Sequence, residues 1–179
     1  REKARIYWGD EMGLRSDHSV GTSYGRRGQK PVIPGTGQRF GCNMISAITN
    51  FGQLNFMVFK ERFDNTVFEA FLKRLVRQSK DKVFLIVDGH PVHRAKKIAQ
   101  WVEKNEQHIS LFFLPGYSPE LNPDEMLNQD VKTNAVRRKP ATTQSSMVQN
   151  LRGYLRSRQR RPELVKRYFH APTVRYAAS

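Results

Sequence analysis

Cysteine and long apolar runs are scarce in this chain of 179 residues. The single cysteine, Cys42, excludes an intrachain disulfide and a cysteine-rich zinc site, and it fits a reducing cytosolic compartment. No apolar run approaches the roughly 20 residues that span a bilayer, so we expect no membrane-spanning helix and no membrane partner. We recognise no signal peptide, and the chain opens directly on a strand pattern, which we interpret as a fragment cut at a domain boundary.

Acidic residues are also few. The chain has 16 Asp and Glu and 31 Lys and Arg, which gives a net charge of +15. Such an excess favours a polyanionic partner, usually nucleic acid. Residues 131–179 hold 12 of the basic residues and one acid, Glu163. We therefore expect this C-terminal segment to contact a phosphate backbone, with a solvated helix face or tail as the alternative.

The apolar pattern predicts three strands followed by alternating helices and strands. Strand patterns cover residues 4–10, 40–49, 53–60, 82–88 and 109–114. Helical patterns follow Asp64 as N-cap, begin near Pro91, run from Asn122-Pro123 to about Arg138, and cover residues 143–158. The glycine-rich stretch 14–39 is typical of a long loop or a small hairpin. The run at 82–88 is almost continuously apolar, as in a strand buried on both faces.

This order predicts an α/β fold with a mixed five-stranded sheet flanked by helices. The first three strands form antiparallel meanders, and the last two follow helical crossovers and should be parallel to their neighbours. Ligands bind at the carboxyl ends of such strands, where the strand order reverses. If the first and fourth strands are neighbours, Asp10 and Asp88 meet at that point.

Three carboxylates stand out by position. Asp10 lies near the end of the first strand pattern, Asp88 closes the fourth, and Glu125 follows Asn122-Pro123-Asp124. Acids at the ends of buried strands are costly unless a cation compensates them. Hard divalent cations do so, and two of them can cleave a phosphodiester. A basic chain around such a centre indicates an enzyme that cuts nucleic acid.

Each carboxylate also has a structural interpretation. Asp10 and Glu11 point to opposite faces of a strand, so only one of them easily shares a site with Asp88. Asp88 fits a helix cap or turn, and Glu125 fits a capping box with Asn122. Glu120 and Asp124 compete with Glu125 for a metal role, although helical rotation turns Asp124 about 100° away from it.

Two histidines, His90 and His93, follow Asp88 closely. A zinc site is disfavoured because the only cysteine lies elsewhere. The pair fits either a histidine near the scissile phosphate or residues of a helix start without a chemical role.

Three motifs carry a family resemblance that runs from about residue 5 to residue 134. They are the strand with Asp10-Glu11, the segment Val87-Asp88-Gly89-His90-Pro91-Val92-His93, and the segment Leu114-Pro115-Gly116-Tyr117-Ser118-Pro119-Glu120-Leu121-Asn122-Pro123-Asp124-Glu125. Together they resemble the DDE transposases, closest to the bacterial insertion-sequence branch of the mariner-like superfamily. The 36 residues between Asp88 and Glu125 are close to the spacing in that superfamily.

The resemblance implies a ribonuclease-H-like catalytic domain over residues 1–139, with 14–39 as an insertion and 140–179 as a basic helical extension of the same domain. It also implies that Asp10, Asp88 and Glu125 bind two Mg²⁺ ions, for which Mn²⁺ would substitute. The expected reaction is cleavage of element ends, followed by attack of the freed 3′-hydroxyl on target DNA.

Several basic or imidazole side chains are predicted to contact DNA phosphates without reading sequence. They are Arg26, Arg27, Lys30, His93, Arg94, Lys96, Lys97, Arg137, Arg138 and Lys139. The expected partners are double-stranded DNA and a second copy of the chain, since superfamily members tend to work as dimers. We expect a bacterial cytoplasmic location at the nucleoid.

Three alternatives remain open from the sequence. The same fold is compatible with a junction resolvase or a nuclease for RNA–DNA hybrids. A DNA-binding module derived from a transposase, without catalysis, would retain the basic surface. The charge alone also fits a structural RNA-binding protein.

Overall fold

A mixed five-stranded sheet forms the centre of the computed structural model, which describes residues 3–19, 39–116, 118–138 and 140–178. The strands are β1 (Ala4–Arg15), β2 (Gly41–Ile48), β3 (Leu54–Phe59), β4 (Lys82–Val87) and β5 (Ile109–Phe113). Their spatial order is β3-β2-β1-β4-β5, with antiparallel pairing from β1 to β3 and parallel pairing of β1 with β4 and of β4 with β5. The predicted α/β class and mixed sheet are confirmed, and the first and fourth strands are neighbours.

Helices cover the two faces of the sheet separately. They are α1 (Asn65–Gln78), α2 (Lys96–Lys104), α3 (Asp124–Val131), α4 (Gln144–Gln159) and α5 (Pro162–Arg167), and a π-helix (Lys132–Arg137) continues α3. On one face α1 and α2 pack over β3, β4 and β5 around buried Phe68, Phe71 and Leu85. On the other face α3 and α4 pack over β1, β2 and β3, around a core that contains Trp8. β1 therefore lies between two separate hydrophobic cores.

The strand β4 is fully buried on one face only, which corrects the expectation from its apolar run. Val83, Leu85 and Val87 are buried, whereas Phe84 and Ile86 are half-buried. The cause is the position of α3 and α4, which pack over β1, β2 and β3.

Helix α1 begins at the predicted N-cap. The Asp64 carboxylate accepts hydrogen bonds from the backbone N–H groups of Thr66 and Val67, both at 2.9 Å. These bonds satisfy two of the four N–H groups that a helix start leaves without intrahelical partners.

Asp64→Ala should lower the free energy of unfolding by about 1 kcal/mol, because the first turn of α1 loses its acceptor. Denaturant unfolding measures this change. Asp64→Ser is the control, since a serine hydroxyl also accepts from these N–H groups, and it should restore most of the loss. Equal destabilisation by alanine and serine would contradict the capping role.

Three local predictions differ from the structure. β1 extends to Arg15 and is followed by a 3₁₀ turn at Ser16–Ser19, so the predicted loop starts later; residues 20–38 lie outside the described residues. Pro91 lies in a turn before α2, which begins only at Lys96. The third helix is α-helical only to Val131, and its remainder is the π-helix.

The C-terminal segment packs into the core that contains Trp8. Leu151 and Leu155 of α4 are buried there, and the Phe169 ring lies edge-on to Trp8 at 5.3 Å between centroids. Side chains of α4 also reach the strands, since the Gln159 amide donates to the Leu54 carbonyl at 2.7 Å. The described residues of 140–178 thus contribute to the core around β1; the boundary at residue 139 stays a prediction.

A polar cluster joins α3 to this C-terminal segment. We call it the Asp130 cluster, and it consists of Asp130, Asn134, Tyr154, Arg158 and Tyr168. The Asp130 carboxylate accepts from Asn134 Nδ2 at 2.6 Å, Tyr154 Oη at 2.8 Å and Arg158 Nε at 2.8 Å, and also from the Tyr168 hydroxyl. One carboxylate therefore joins α3, the π-helix, α4 and the turn after α5.

None of the helices in the described ranges is both long enough and apolar enough to cross a bilayer.

Candidate active site

The register of the sheet brings Asp10 level with Asp88. The parallel pairing of β1 with β4 sets Trp8 beside Ile86, so two residues further along each chain Asp10 and Asp88 are at the same height. β4 ends at Val87, and Asp88 therefore lies at its carboxyl end, whereas β1 continues past this point. Two carboxylates 78 positions apart in sequence thus lie at one edge of the paired region.

Asparagines of the third motif attach the start of α3 to β1. Asn128 Nδ2 donates to Asp10 Oδ2 at 2.7 Å, and Asn122 Nδ2 donates to the Gly9 carbonyl at 3.0 Å. Asn128 and Asn122 are buried, and the Asp10 residue is only 9% exposed. Glu125, in the first turn of α3, is thereby brought close enough to Asp10 to affect its ionisation.

The start of α3 also places the side chains of Asp124 and Glu125 in different surroundings. Asp124 is fully buried and accepts from Ser46 Oγ of β2 at 2.6 Å, whereas Glu125 is half-buried. Asn122 Oδ1 accepts from the Asp124 N–H at 3.1 Å, but α3 begins at Asp124 with Pro123 at its N-cap position and without a side-chain capping bond, so the predicted capping box is not formed. Asp124 attaches α3 to β2, which leaves Glu125 as the more accessible carboxylate.

Asp88 is held by the turn that follows it. The backbone N–H of His90 donates to Asp88 Oδ1 at 3.0 Å, and His93 Nδ1 lies 2.9 Å from the same oxygen. The hydrogen bond from His93 holds the pKa of Asp88 below its ordinary value. Asp88 does act as a turn residue, and its carboxylate stays charged at the edge of the sheet.

Glu11 points to the face opposite Asp10, as strand alternation requires. Its Oε2 lies 3.4 Å from His93 Nε2, and its Oε1 lies 3.9 Å from His90 Nε2. Burial raises the pKa of Glu11 to about 7, against the opposing effect of His93. Ligand atoms of Glu11, Asp88 and His93 lie within 4.8 Å of one another, so Glu11 joins the site although it is absent from the predicted triad.

Five carboxylates therefore converge on the edge where β4 ends, namely Asp10, Glu11, Asp88, Asp124 and Glu125. Burial, followed by the negative charges of Asp124, Glu125, Glu11 and Asp88, raises the pKa of Asp10 to about 9. Burial also raises the pKa of Asp124 well above its ordinary range. Oxygen donors with excess negative charge are the ligands that Mg²⁺ and Mn²⁺ prefer, so the donor set fits a hard divalent cation.

Apart from His93, the predicted DNA contacts fall into three groups. Lys96, Arg137 and Arg138 are exposed, and Arg94 is exposed with its guanidinium 4.4 Å above the Phe113 ring, beside the end of β5. Lys97 pairs with Glu69 of α1 at 3.1 Å. Arg26, Arg27, Lys30 and Lys139 lie outside the described residues.

The prediction that His93 contacts DNA does not fit its position. The side chain is 0% exposed and packs between the rings of Phe63 and Phe68, with centroid distances of 5.7 and 4.6 Å. A phosphate at the surface cannot reach an imidazole in this position.

The sequence matches the family described as DDE superfamily endonuclease over residues 5–148, which is most of the chain. The chain therefore belongs to the DDE superfamily endonucleases, and this membership implies use of a divalent metal. No curated protein sequence matches it.

Solved structures of the Mos1 mariner transposase share the fold. The paired-end complex with Mn superposes with a TM-score of 0.69 at 17% identity, covering 96% of this chain and 53% of that one. The strand transfer complex gives 0.62 at 20% identity, covering 98% and 55%, and the isolated catalytic domain gives 0.59 at 14%, covering 98% and 83%. These matches confirm the ribonuclease-H-like fold, and this chain spans about half the length of the Mos1 chain in those two DNA complexes.

Proposed function

We propose that this chain is the catalytic domain of a DNA transposase that cuts the ends of its element and joins the freed 3′-hydroxyl to target DNA. One observation carries the proposal. The β1–β4 register and the two asparagine contacts of α3 gather Asp10, Asp88 and Glu125 at one edge of the sheet. The family membership and the mariner-like fold support the same reaction class.

Asp10, Asp88 and Glu125 are the proposed metal ligands. Two Mg²⁺ ions, or Mn²⁺ in their place, would supply the positive charge that activates a water or 3′-hydroxyl and stabilises the leaving oxygen. The crowding of carboxylates around Asp10 supports this proposal, because bound cations would offset their mutual repulsion. Mos1 complexes have been solved with Mn and with Mg.

The protein's own groups orient these ligands. Asn128 donates to one oxygen of Asp10, which leaves the other oxygen for an ion. His90 N–H and His93 Nδ1 both approach Oδ1 of Asp88, which leaves Oδ2. Ser46 and Asp124 hold α3 to β2, so the helix that carries Glu125 cannot shift along the sheet without breaking a buried hydrogen bond of 2.6 Å.

Double-stranded DNA is the proposed substrate, and the net charge of +15 supports binding to its backbone. Arg94, Lys96, Arg137 and Arg138 are exposed cations suited to phosphate contacts. Phosphate contacts are proposed on the basis of charge alone for five further residues, Arg26, Arg27, Lys30, Lys97 and Lys139. A homodimer and a location at the bacterial nucleoid are further parts of the proposal, and sedimentation of the protein with and without DNA tests the dimer.

The test is cleavage of labelled duplexes taken from the two flanks of the gene, with Mg²⁺, with Mn²⁺ and with EDTA. RNA–DNA hybrids and four-way junctions of the same sequence complete the substrate set. We expect cleavage of the flank duplexes that requires metal, followed by joining of the 3′ ends to added plasmid.

Other results would redirect the proposal. Preferred cleavage of junctions or hybrids would assign a resolvase or a hybrid nuclease on the same fold. Binding of DNA without cleavage under any metal would assign a non-catalytic module, and salt-dependent binding that favours RNA over DNA would assign an RNA-binding protein.

A further inference from the structure

A buried imidazole lies between Asp88 and Glu11. His93 Nδ1 is 2.9 Å from Asp88 Oδ1, and His93 Nε2 is 3.4 Å from Glu11 Oε2. The His93 side chain is 0% exposed, so neither nitrogen can exchange its carboxylate for bulk water. The two carboxylates come from adjacent strands, and the imidazole connects them.

The His93 ring packs against two aromatic side chains, and its backbone is held in a turn. Phe63 and Phe68 pack against it, and the His93 backbone N–H donates to the His90 carbonyl at 3.0 Å. The turn that carries His93 therefore folds back over Asp88 before α2 begins. A ring held in this way has little rotamer freedom to lose when it forms its polar contacts.

We propose that His93 is a positioning residue, which donates from Nδ1 to Asp88, faces Glu11 with Nε2, and thereby directs the other carboxylate oxygen of Asp88 to the metal. This inference rests on the proposed function of Asp88 as a metal ligand. Hydrogen-bonded partners of metal ligands commonly fix the orientation of the ligand and contribute 10–100-fold to metal affinity.

Direct ligation of a metal by His93 fits the geometry less well. His93 Nδ1 lies 2.9 Å from Asp88 Oδ1 and 3.3 Å from the backbone carbonyl oxygen of Asp88. A carbonyl oxygen only accepts, so we assign the proton to Nδ1, which then has no lone pair for an ion. Only Nε2 would remain, and it lies 3.4 Å from Glu11 Oε2 without forming a hydrogen bond to any described residue. The bridging role uses both nitrogens, and it also explains why an acidic side chain occupies position 11.

Two substitutions separate the contacts of the two nitrogens. The amide nitrogen of asparagine falls near the Nδ1 position, so His93→Asn can keep the bond to Asp88. The longer His93→Gln places its amide near Nε2 and keeps only the contact with Glu11. His93→Leu removes both contacts, and His108→Leu makes the same change at an exposed histidine away from the site.

The measurement is Mn²⁺ binding by electron paramagnetic resonance, together with the Mn²⁺ concentration that gives half-maximal DNA cleavage. We expect Kd for Mn²⁺ to rise about 10–100-fold in His93→Leu and in His93→Gln, and to recover in His93→Asn, with His108→Leu as in the wild type. The rate of DNA cleavage at saturating Mn²⁺ should change by a smaller factor than the Mn²⁺ concentration that gives half-maximal cleavage.

Equal Mn²⁺ affinities in His93→Asn and His93→Gln would overturn the positioning role, and the comparison holds even if His93→Leu does not fold. If the wild type binds Mn²⁺ and cleaves DNA but Asp88→Asn does so equally well, the role of Asp88 as a metal ligand, on which this inference rests, fails instead. The two failures are therefore distinguishable.

Discussion

Asp88→Asn should lower the rate of DNA strand cleavage by roughly 10³-fold while duplex binding stays unchanged or becomes tighter. The substitution removes one negative charge from the proposed metal site but keeps an oxygen that accepts from His90 N–H. Loss of a metal ligand removes several kcal/mol of transition-state charge stabilisation, which corresponds to this change in rate. Binding should persist because the basic side chains that contact phosphates are untouched.

Single-turnover cleavage and a filter-binding titration at fixed salt measure the two quantities separately. Asp17→Asn is the matched control, because Asp17 is an exposed carboxylate paired with Arg15 and Arg39 away from the sheet edge. It should cleave DNA as the wild type does. A parallel loss of binding and cleavage in Asp88→Asn would argue against the assignment, since it would indicate disruption of the DNA surface or of the fold.

Asp130→Ala should lower the free energy of unfolding by about 3 kcal/mol, the largest loss that we expect from any single polar side chain here. The change leaves four donors of the Asp130 cluster without their shared acceptor. Arg158 is affected most, because its side chain is only 18% exposed and cannot fully rehydrate in place. Buried charges left without a partner are more costly than the loss of the hydrogen bond alone.

Urea unfolding followed by circular dichroism measures this loss. Glu69→Ala is the control, since Glu69 also pairs with two cations, Lys73 and Lys97, but both lysines are more than half exposed. Its effect should stay below about 1 kcal/mol. A similar cost for both substitutions would mean that the Asp130 cluster behaves as an ordinary surface network.

Local signals carried most of the fold prediction. The apolar run before Asp88, the Asp64 cap and the turn at Asn50–Gly52 each depend on neighbours within a few residues. Gly52 has a φ of +90°, a backbone conformation that favours glycine, so the turn itself accounts for this residue. Helix caps and tight turns are decided by such short-range geometry, and for that reason they are readable from sequence.

The extension of β1 also had a local signal. Trp8, Asp10, Met12 and Leu14 alternate with less apolar neighbours, and the three apolar residues are buried in one core. The glycines that follow favoured a loop from residue 14, and for this reason the end of β1 at Arg15 was not predicted.

The contact of Glu11 with His93 and the Asp130 cluster had no such signal. Glu11 and His93 are 82 positions apart, and Tyr168 is 38 positions from Asp130. These contacts depend on how α2, α4 and the turn after α5 pack on the sheet, which no periodicity within one element specifies. The burial of His93 likewise follows from tertiary packing, so a histidine beside a catalytic motif was expected to contact DNA.

Because alternate side chains of β1 pack into two different cores, the fold is sensitive to a change in the length of this strand. Inserting or deleting one codon between Ile6 and Asp10 would shift the alternation, so that Asp10 would turn towards His93 and Glu11 towards Asn128. Met12 and Leu14 would leave their core at the same time. A substitution in this strand changes one side chain and leaves the orientation of the others as it was. An insertion or deletion of one residue reverses the orientation of Asp10 and Glu11 together. Relatives of this chain should therefore tolerate substitutions at the other positions of β1 far more readily than any change in the length of this strand.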